Sequence, residues 1–359
     1  MKKKAIKATA ITVTAQKMRQ AIEKFLQLQN EGKTPPPSMV WGAPGIGKSY
    51  IIQEIAKEMG IGFVDVRLAQ REPVDMRGLP VPDNERKCVE WFTSGEWPRE
   101  QNSRGIIFFD ELTAADRMNQ AAAYELILDR KLGDLYQVPQ GWYICAAGNR
   151  VSDRAVATAM SSALANRFLH FNLEPDVESW CAWAEGQGIH PAIIGFLKFK
   201  PELLHAMPED EACQQGWPSP RSWERVDTIV KNFLADDLLA LVSGLVGEAA
   251  AIQFLGFMKS AKAFDTDVRK AMLGKGKINF PAEGDQLYAW CCSAANLLLA
   301  GQLQGDFDRL LDGFARILGQ VSPDFAQMML QMVRKELLPN NLITLMGKDG
   351  CQALFNGEC

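Results

Sequence analysis

Eight consecutive residues, Gly42-Ala43-Pro44-Gly45-Ile46-Gly47-Lys48-Ser49, constrain this chain more than anything else in it. They follow the apolar Met39-Val40-Trp41 and lead through Tyr50 into a helical pattern marked by Ile51, Ile55 and Met59. The string fits GxxxxGK followed by Ser or Thr, in the setting of strand, loop and helix that gives the motif its meaning. Glycines let consecutive backbone N–H groups curl around a phosphate, and the helix start adds the positive end of its dipole. Residues Gly42 to Tyr50 are therefore expected to bind a nucleotide. Lys48 would reach the β- and γ-phosphates, and the Ser49 hydroxyl would ligate Mg²⁺.

The surroundings of this loop set the fold class. Short apolar runs recur at Ile61–Val66, Ile106–Phe109, Tyr143–Ala147 and Phe168–Phe171. Such runs, bounded by Gly, Asp and Arg, suit strands buried on both faces. Helical patterns lie between them, over Lys48–Met59 and Asp116–Leu128, and a further helix is marked by Met18, Ile22, Phe25 and Leu26. Alternation of this kind predicts a parallel α/β sheet flanked by helices. After about residue 175 the strand signals stop, and Trp223, Val226, Val230, then Phe307, Leu310, Leu311, Phe314 and Leu318, sit at helical intervals. With 359 residues the chain is long enough for about two domains. The expectation is an α/β nucleotide-binding domain over residues 1–175 and an all-helical region over 176–359. The stretch from Arg67 to Gln101, rich in Pro, Gly and charge, is too long for a simple connection.

Two further runs end in polar side chains. Ile106–Phe109 is followed by Asp110-Glu111, which presents two carboxylates at the carboxyl edge of the sheet, where ligands of open α/β folds bind. Asp110 is placed to hold Mg²⁺ and Glu111 to polarise an attacking water. The competing reading of these acids is a helix N-cap. Tyr143–Ala147 is followed by Gly148-Asn149, and Asn149 could hold the lytic water or contact the γ-phosphate.

Together these features resemble the AAA+ ATPases, with Walker A, Walker B and first-sensor elements in the expected order. The details are most similar to the MoxR-like branch: Asp65-Val-Arg-Leu, Pro73-Val-Asp-Met-Arg-Gly78, Ala123 through Gly133, Ala147-Gly-Asn-Arg150 and Ala165-Asn-Arg-Phe168. The resemblance covers roughly residues 35–235. It implies a P-loop AAA+ sheet followed by a helical lid, and ATP hydrolysis to ADP and phosphate with Mg²⁺. It implies that Arg167 is the arginine finger reaching a neighbouring subunit's γ-phosphate, with Arg154 and Arg150 as rivals and a helix C-cap as the structural alternative. Pro218-Ser-Pro220-Arg221-Ser-Trp223 matches the second-sensor element, with Ser219 a candidate N-cap, Pro220 the first helical residue and Arg221 in the first turn. The segment between Leu128 and Trp142 corresponds to a hairpin in the family, with Leu132, Leu135 and Val138 on its apolar side, though a plain loop fits the same letters. By the same analogy Arg71–Trp97 faces a central pore. The partners implied are other copies of the chain, in a closed ring such as a hexamer, and a protein with a von Willebrand factor A domain.

Composition narrows the alternatives. A net charge of −4 gives no basic footprint for nucleic acid. Eight cysteines make no CxxC pair, and the three histidines lack metal-binding spacing, so reduced thiols in the cytoplasm and no metal beyond Mg²⁺ are expected. The most apolar stretch, Leu287 to Ala300, is too short to span a bilayer and reads as a buried helix. A nucleic-acid motor on the same core stays open through Arg67, Arg71, Arg77, Arg86 and Lys87, which five acids of the same segment offset. A nucleotide-gated assembly factor that hardly hydrolyses ATP is disfavoured by the presence of Glu111 and Asn149. A small-molecule kinase would need neither finger nor second sensor.

Overall fold

The computed structural model describes residues 11–150, 153, 158, 160–208, 215–302, 305–334, 337–348 and 351. The chain divides into two compact units, Met1–Asp176 and Val177–Cys359.

The first unit opens with strand β1 (Thr12–Val13), helix α1 (Ala15–Asn30), strand β2 (Ser38–Trp41), helix α2 (Lys48–Glu58) and strand β3 (Gly62–Arg67). A short helix α3 (Pro73–Arg77) leads into the antiparallel pair β4 (Leu79–Asp83) and β5 (Cys88–Phe92). Then come β6 (Gly105–Asp110), α4 (Arg117–Asp129), the two-residue strands β7 (Lys131–Leu132) and β8 (Tyr136–Gln137), β9 (Trp142–Gly148), α5 (Ser162–Ala165) and β10 (Leu169–Leu173). The main sheet has the order β1-β10-β2-β9-β6-β3, and every neighbouring pair in it is parallel.

Burial on both faces explains the near-continuous apolar runs. Along β6, Ile106 and Phe108 turn to the side packed by Met18 and Ile22 of α1 and Ile52 and Ile55 of α2. Ile107 and Phe109 turn to the side packed by Ala123, Leu126 and Ile127 of α4. Each run predicted as a sheet strand is a strand, with ends moved by no more than a residue or two. The register places the ends of β2, β9 and β6 side by side: Trp41 pairs with Gly148, and Phe109 with Ala146, one residue before Asp110.

The long segment after β3 is not a plain connection. Its hairpin β4–β5 leaves Leu79, Val89, Trp91 and Phe92 exposed. The base of the segment is fixed by Arg71, whose guanidinium makes a two-pronged pair with Glu96 at 3.0 and 2.7 Å. The Arg71 carbonyl accepts from the Asn119 side chain at 2.6 Å. The segment after α4 is a hairpin rather than a plain loop. Leu132 and Val138 are buried there as expected, but Leu135 sits at the tip, 49% exposed, and Tyr136 takes the inward place against Trp97. With two-residue strands, the turn and not the pleat decides which side chain faces in.

The second unit is helical among its described residues: α6 (Val177–Gln187), α7 (Pro191–Phe199), α8 (Pro220–Asn232), α9 (Ala235–Val246), α10 (Glu248–Met272), α11 (Gly284–Ala300), α12 (Phe307–Leu318), α13 (Pro323–Arg334) and α14 (Pro339–Met346). One core joins Phe196, Trp223, Phe254, Cys292 and Phe314. Helix α11 is the buried helix expected from Leu287–Ala300. Among the described residues no helix is long and apolar enough to cross a membrane. The parallel sheet flanked by helices, followed by a helical unit, is the fold class expected from the sequence.

Candidate active site

The site is built where β2, β9 and β6 end together. After Trp41 the chain turns through Gly42–Gly47 and enters α2 at Lys48. Gly45 and Gly47 have φ of 78° and 91°, a left-handed backbone that glycine adopts at no steric cost. A Cβ on Gly42 would lie 2.8 Å from the Leu173 carbonyl and would collide with the Ile46 side chain. The loop is therefore curled tightly against its own sheet, with the start of α2 behind it.

Lys48 is almost wholly buried. Its ammonium donates to the carbonyls of Gly42 at 2.6 Å and Ala43 at 3.0 Å, and to Asn149 Oδ1 at 2.8 Å. Ser49 Oγ donates to Asp110 Oδ2 at 2.6 Å. The other carboxylate oxygen of Asp110 accepts from the Glu111 amide at 2.9 Å. Lys48 and Asn149, far apart in the chain, are thus brought into direct contact, and so are the two expected metal ligands. Tyr50 points away: it is 42% exposed, and its hydroxyl reaches Glu54. Its side chain lies on the outer side of α2, and only its backbone remains beside the loop.

The acids at the end of β6 are not helix caps. Asp116 caps α4, its carboxylate accepting from the Asn119 amide at 2.7 Å. Asp110 and Glu111 are left at the sheet edge, and Glu111 has a φ of 54°, unusual for a residue with a Cβ. Its carbonyl accepts from the Ala114 amide at 2.8 Å, closing the turn that carries its side chain into solvent.

Thr113 is a residue of the site that the sequence does not advertise. Its hydroxyl donates to the Asn149 carbonyl, and the Asn149 amide donates back to it, both at 3.1 Å. The two segments are further joined by the Leu112 amide bonding the Ala147 carbonyl at 2.9 Å. Asn149 is thereby locked to the turn after β6.

The expected arginines are placed less closely. Arg167 lies on the turn between α5 and β10, exposed, and among the described residues its guanidinium bonds to none. It does not cap α5, whose C-cap is Asn166. Arg150, one of its rivals, is held inside its own unit by Asn172 Oδ1 at 3.2 Å and by Asp153. Arg154 lies outside the described residues. In the second unit Ser219 caps α8 with Pro220 at its first position, and Arg221 is exposed in the first turn.

These residues fit a nucleoside triphosphate with a divalent cation. The loop's curl is one that a single added Cβ would break. Lys48 supplies a cation beside it, and Ser49 with Asp110 forms a pair of hard oxygen donors. Among the described residues no cluster of three His, Cys, Asp or Glu could hold another metal.

The family model for ATPases associated with various cellular activities (AAA) matches residues 38–171. No curated protein matches the chain. Among solved structures, a point mutant of Thermotoga maritima RuvB aligns over 72% of this chain and 75% of its own, at 14% identity and a TM-score of 0.39. A candidate ATPase from Cytophaga hutchinsonii aligns over 93% and 81%, at 16% identity and a TM-score of 0.34. The T. maritima RuvB Holliday junction branch migration motor aligns over 80% and 88%, at 15% identity and a TM-score of 0.38. The matched segment runs from the first residue of β2 to the middle of β10 and holds the phosphate loop, Asp110, Glu111, Asn149 and Arg167, so the similarity to the AAA ATPase family falls on the part of the chain that carries the candidate site.

Proposed function

We propose that this chain hydrolyses ATP to ADP and phosphate with Mg²⁺, as a subunit of a closed homo-oligomeric ring, a hexamer, and that the work is spent on remodelling a partner protein. The observation that carries the reading is the convergence of Lys48 on Asn149 and of Ser49 on Asp110 at one end of the sheet. Those contacts join the residues that would hold phosphate, metal and water.

In this reading the backbone N–H groups of the loop and the Lys48 ammonium bind the triphosphate. Ser49 and Asp110 hold Mg²⁺, which neutralises phosphate charge when bound. Glu111 accepts a proton from the attacking water or orients it, and Asn149 fixes the water's second contact. Arg167, exposed and without a guanidinium partner among the described residues, serves the site of a neighbouring subunit. Arg221, beside a helix start that favours anions, is the second sensor. The resemblance to the MoxR-like branch makes a von Willebrand factor A domain the expected feature of the partner, in the cytoplasm.

The test is to trap partners with Glu111→Gln protein locked in ATP, and to measure ATPase stimulation by the trapped protein and by DNA and RNA. Stimulation by the protein alone supports remodelling. Stimulation by nucleic acid alone replaces it with the motor reading. Light scattering with and without an ATP analogue tests the ring, and a strict monomer at micromolar concentration under both conditions would remove it.

A further inference from the structure

Trp41 is the last residue of β2 and immediately precedes Gly42 of the phosphate loop. Its register partner on β10 is Asn172, so His170, two residues earlier, lies on the same face of the sheet. The indole Nε1–H donates to His170 Nδ1 at 2.7 Å, with the two ring planes within 13° of parallel. His170 Nε2 is 2.7 Å from the Ala165 carbonyl. An indole can only donate and a carbonyl can only accept, so the two partners together select the neutral ring with its proton on Nε2.

Ala165 is the last residue of α5, and Arg167 follows two residues later, its amide bonded to the Leu164 carbonyl at 3.1 Å. At the other end of α5, the Ser161 hydroxyl caps the helix and lies 2.6 Å from the Tyr124 hydroxyl of α4. The turn that carries Arg167 is thus suspended between two elements that border the site. One is the strand feeding the phosphate loop, reached through His170; the other is the helix after Asp110-Glu111, reached through Tyr124.

We propose that His170 is a positioning residue for Arg167, holding the arginine's turn in register with the subunit's own phosphate loop. The proposal rests on the reading of Arg167 as a group that acts in a neighbour's site. His170 touches no reacting atom; it fixes the Ala165 carbonyl and, through it, the base from which Arg167 projects. A subunit lacking this link is a poor donor of the arginine but a sound host for nucleotide.

The test uses the full chain. His170→Phe keeps an aromatic ring beside Trp41 and removes both nitrogens; His170→Gln keeps one acceptor and one donor. Losing two hydrogen bonds from an exposed site should lower kcat about tenfold. Affinity for an ATP analogue and the Tm should stay near wild type, and His170→Gln should recover most of the turnover. Mixed assemblies then give the direction of the effect. Glu111→Gln subunits are dead hosts but intact arginine donors, so mixing them with His170→Phe subunits should raise the turnover per intact Glu111. Arg167→Ala subunits are sound hosts without an arginine, so mixing them with His170→Phe subunits should raise nothing. The reverse pattern, rescue by Arg167→Ala and none by Glu111→Gln, would place His170 at its own pocket and overturn the proposal. Unchanged kcat in His170→Phe would overturn it outright. The parent reading is scored separately by mixing Arg167→Ala with Glu111→Gln. No recovery there, despite demonstrated subunit exchange, refutes action across the interface and takes the His170 proposal with it.

Discussion

Thr113 and Asn149 exchange a reciprocal pair of hydrogen bonds, hydroxyl to carbonyl and amide to hydroxyl, each 3.1 Å long. Thr113 is buried, so the pair is shielded from water. A Cβ on the preceding Gly148 would lie 2.6 Å from the Thr113 hydroxyl, which shows how closely the two segments approach. Thr113→Val keeps the shape and removes the hydroxyl, leaving the Asn149 amide without its partner at a cost of about 1–3 kcal/mol. Freed of this clamp, Asn149 no longer holds its side chain at one place. The expected outcome is a fall in kcat of about tenfold with KM for ATP within about twofold, and recovery in Thr113→Ser. Steady-state ATPase kinetics check it, and a Val variant with wild-type kcat would remove Thr113 from the site.

Lys48 and Glu111 should fail in different ways. Lys48 is buried among oxygen acceptors beside the loop, where it would meet phosphate in the ground state. Glu111 is exposed and bonds the turn through its backbone, an arrangement that would leave its carboxylate for the attacking water. Lys48→Ala should lose ATP binding altogether, whereas Glu111→Gln should bind ATP as wild type and lose turnover. Calorimetric affinity measured beside the hydrolysis rate separates the two. Strong turnover in Glu111→Gln would take that residue out of the mechanism.

What the sequence made legible, and what it hid, follows from where side chains are buried. Ile106–Phe109 announced itself because a strand covered on both faces must be apolar at every position. The phosphate loop was equally plain, since its backbone can be built only with glycines at fixed places. The β4–β5 hairpin was hidden because its strands are exposed and carry Pro80 and Pro82, residues that read as loop and are tolerated only at unpaired edges. The two-residue β1 is too short for any periodicity. Thr113 had no motif: its partner is a backbone group that only the sheet order brings near. Arg167 and Arg221 were suggested by resemblance alone, and their exposure explains why no local pattern marks them.

Gly42 lies where a methyl group has nowhere to go. Its Cβ would meet the Leu173 carbonyl, a backbone atom of β10 that cannot swing aside, as well as Ile46. Gly42→Ala should therefore push the loop off the sheet and carry with it the carbonyl that accepts from Lys48. ATP affinity should drop at least about tenfold while the fold is retained, because the displaced segment is a loop and not a strand. Gly60→Ala is the control: its φ of 62° also favours glycine, but a Cβ there meets nothing within 4 Å. Equal affinity for nucleotide in the Gly42 and Gly60 variants would show that the tight approach is not needed for binding.

His190 makes the helical unit sensitive to acid. Its imidazole caps α7, Nδ1 accepting from the Ala192 amide at 3.1 Å, so the cap requires an unprotonated Nδ1. Burial pushes the pKa down to about 4, opposed by Asp227 and reinforced by Lys231 and Lys262. The folded value lies below the unfolded value of about 6.5, so between these pH values the unfolded chain binds the extra proton. Stability is full above about pH 6.5 and falls as the pH drops towards 4, by about 1.4 kcal/mol per unit and about 3 kcal/mol in total. His190→Asn keeps a side-chain acceptor at the cap without a titrating group. Urea unfolding of both proteins between pH 7.5 and 4.5, followed by far-ultraviolet circular dichroism, should show the wild type losing stability relative to the variant across that window. Parallel curves over the whole range would mean that His190 is protonated as readily in the folded chain as in the unfolded one.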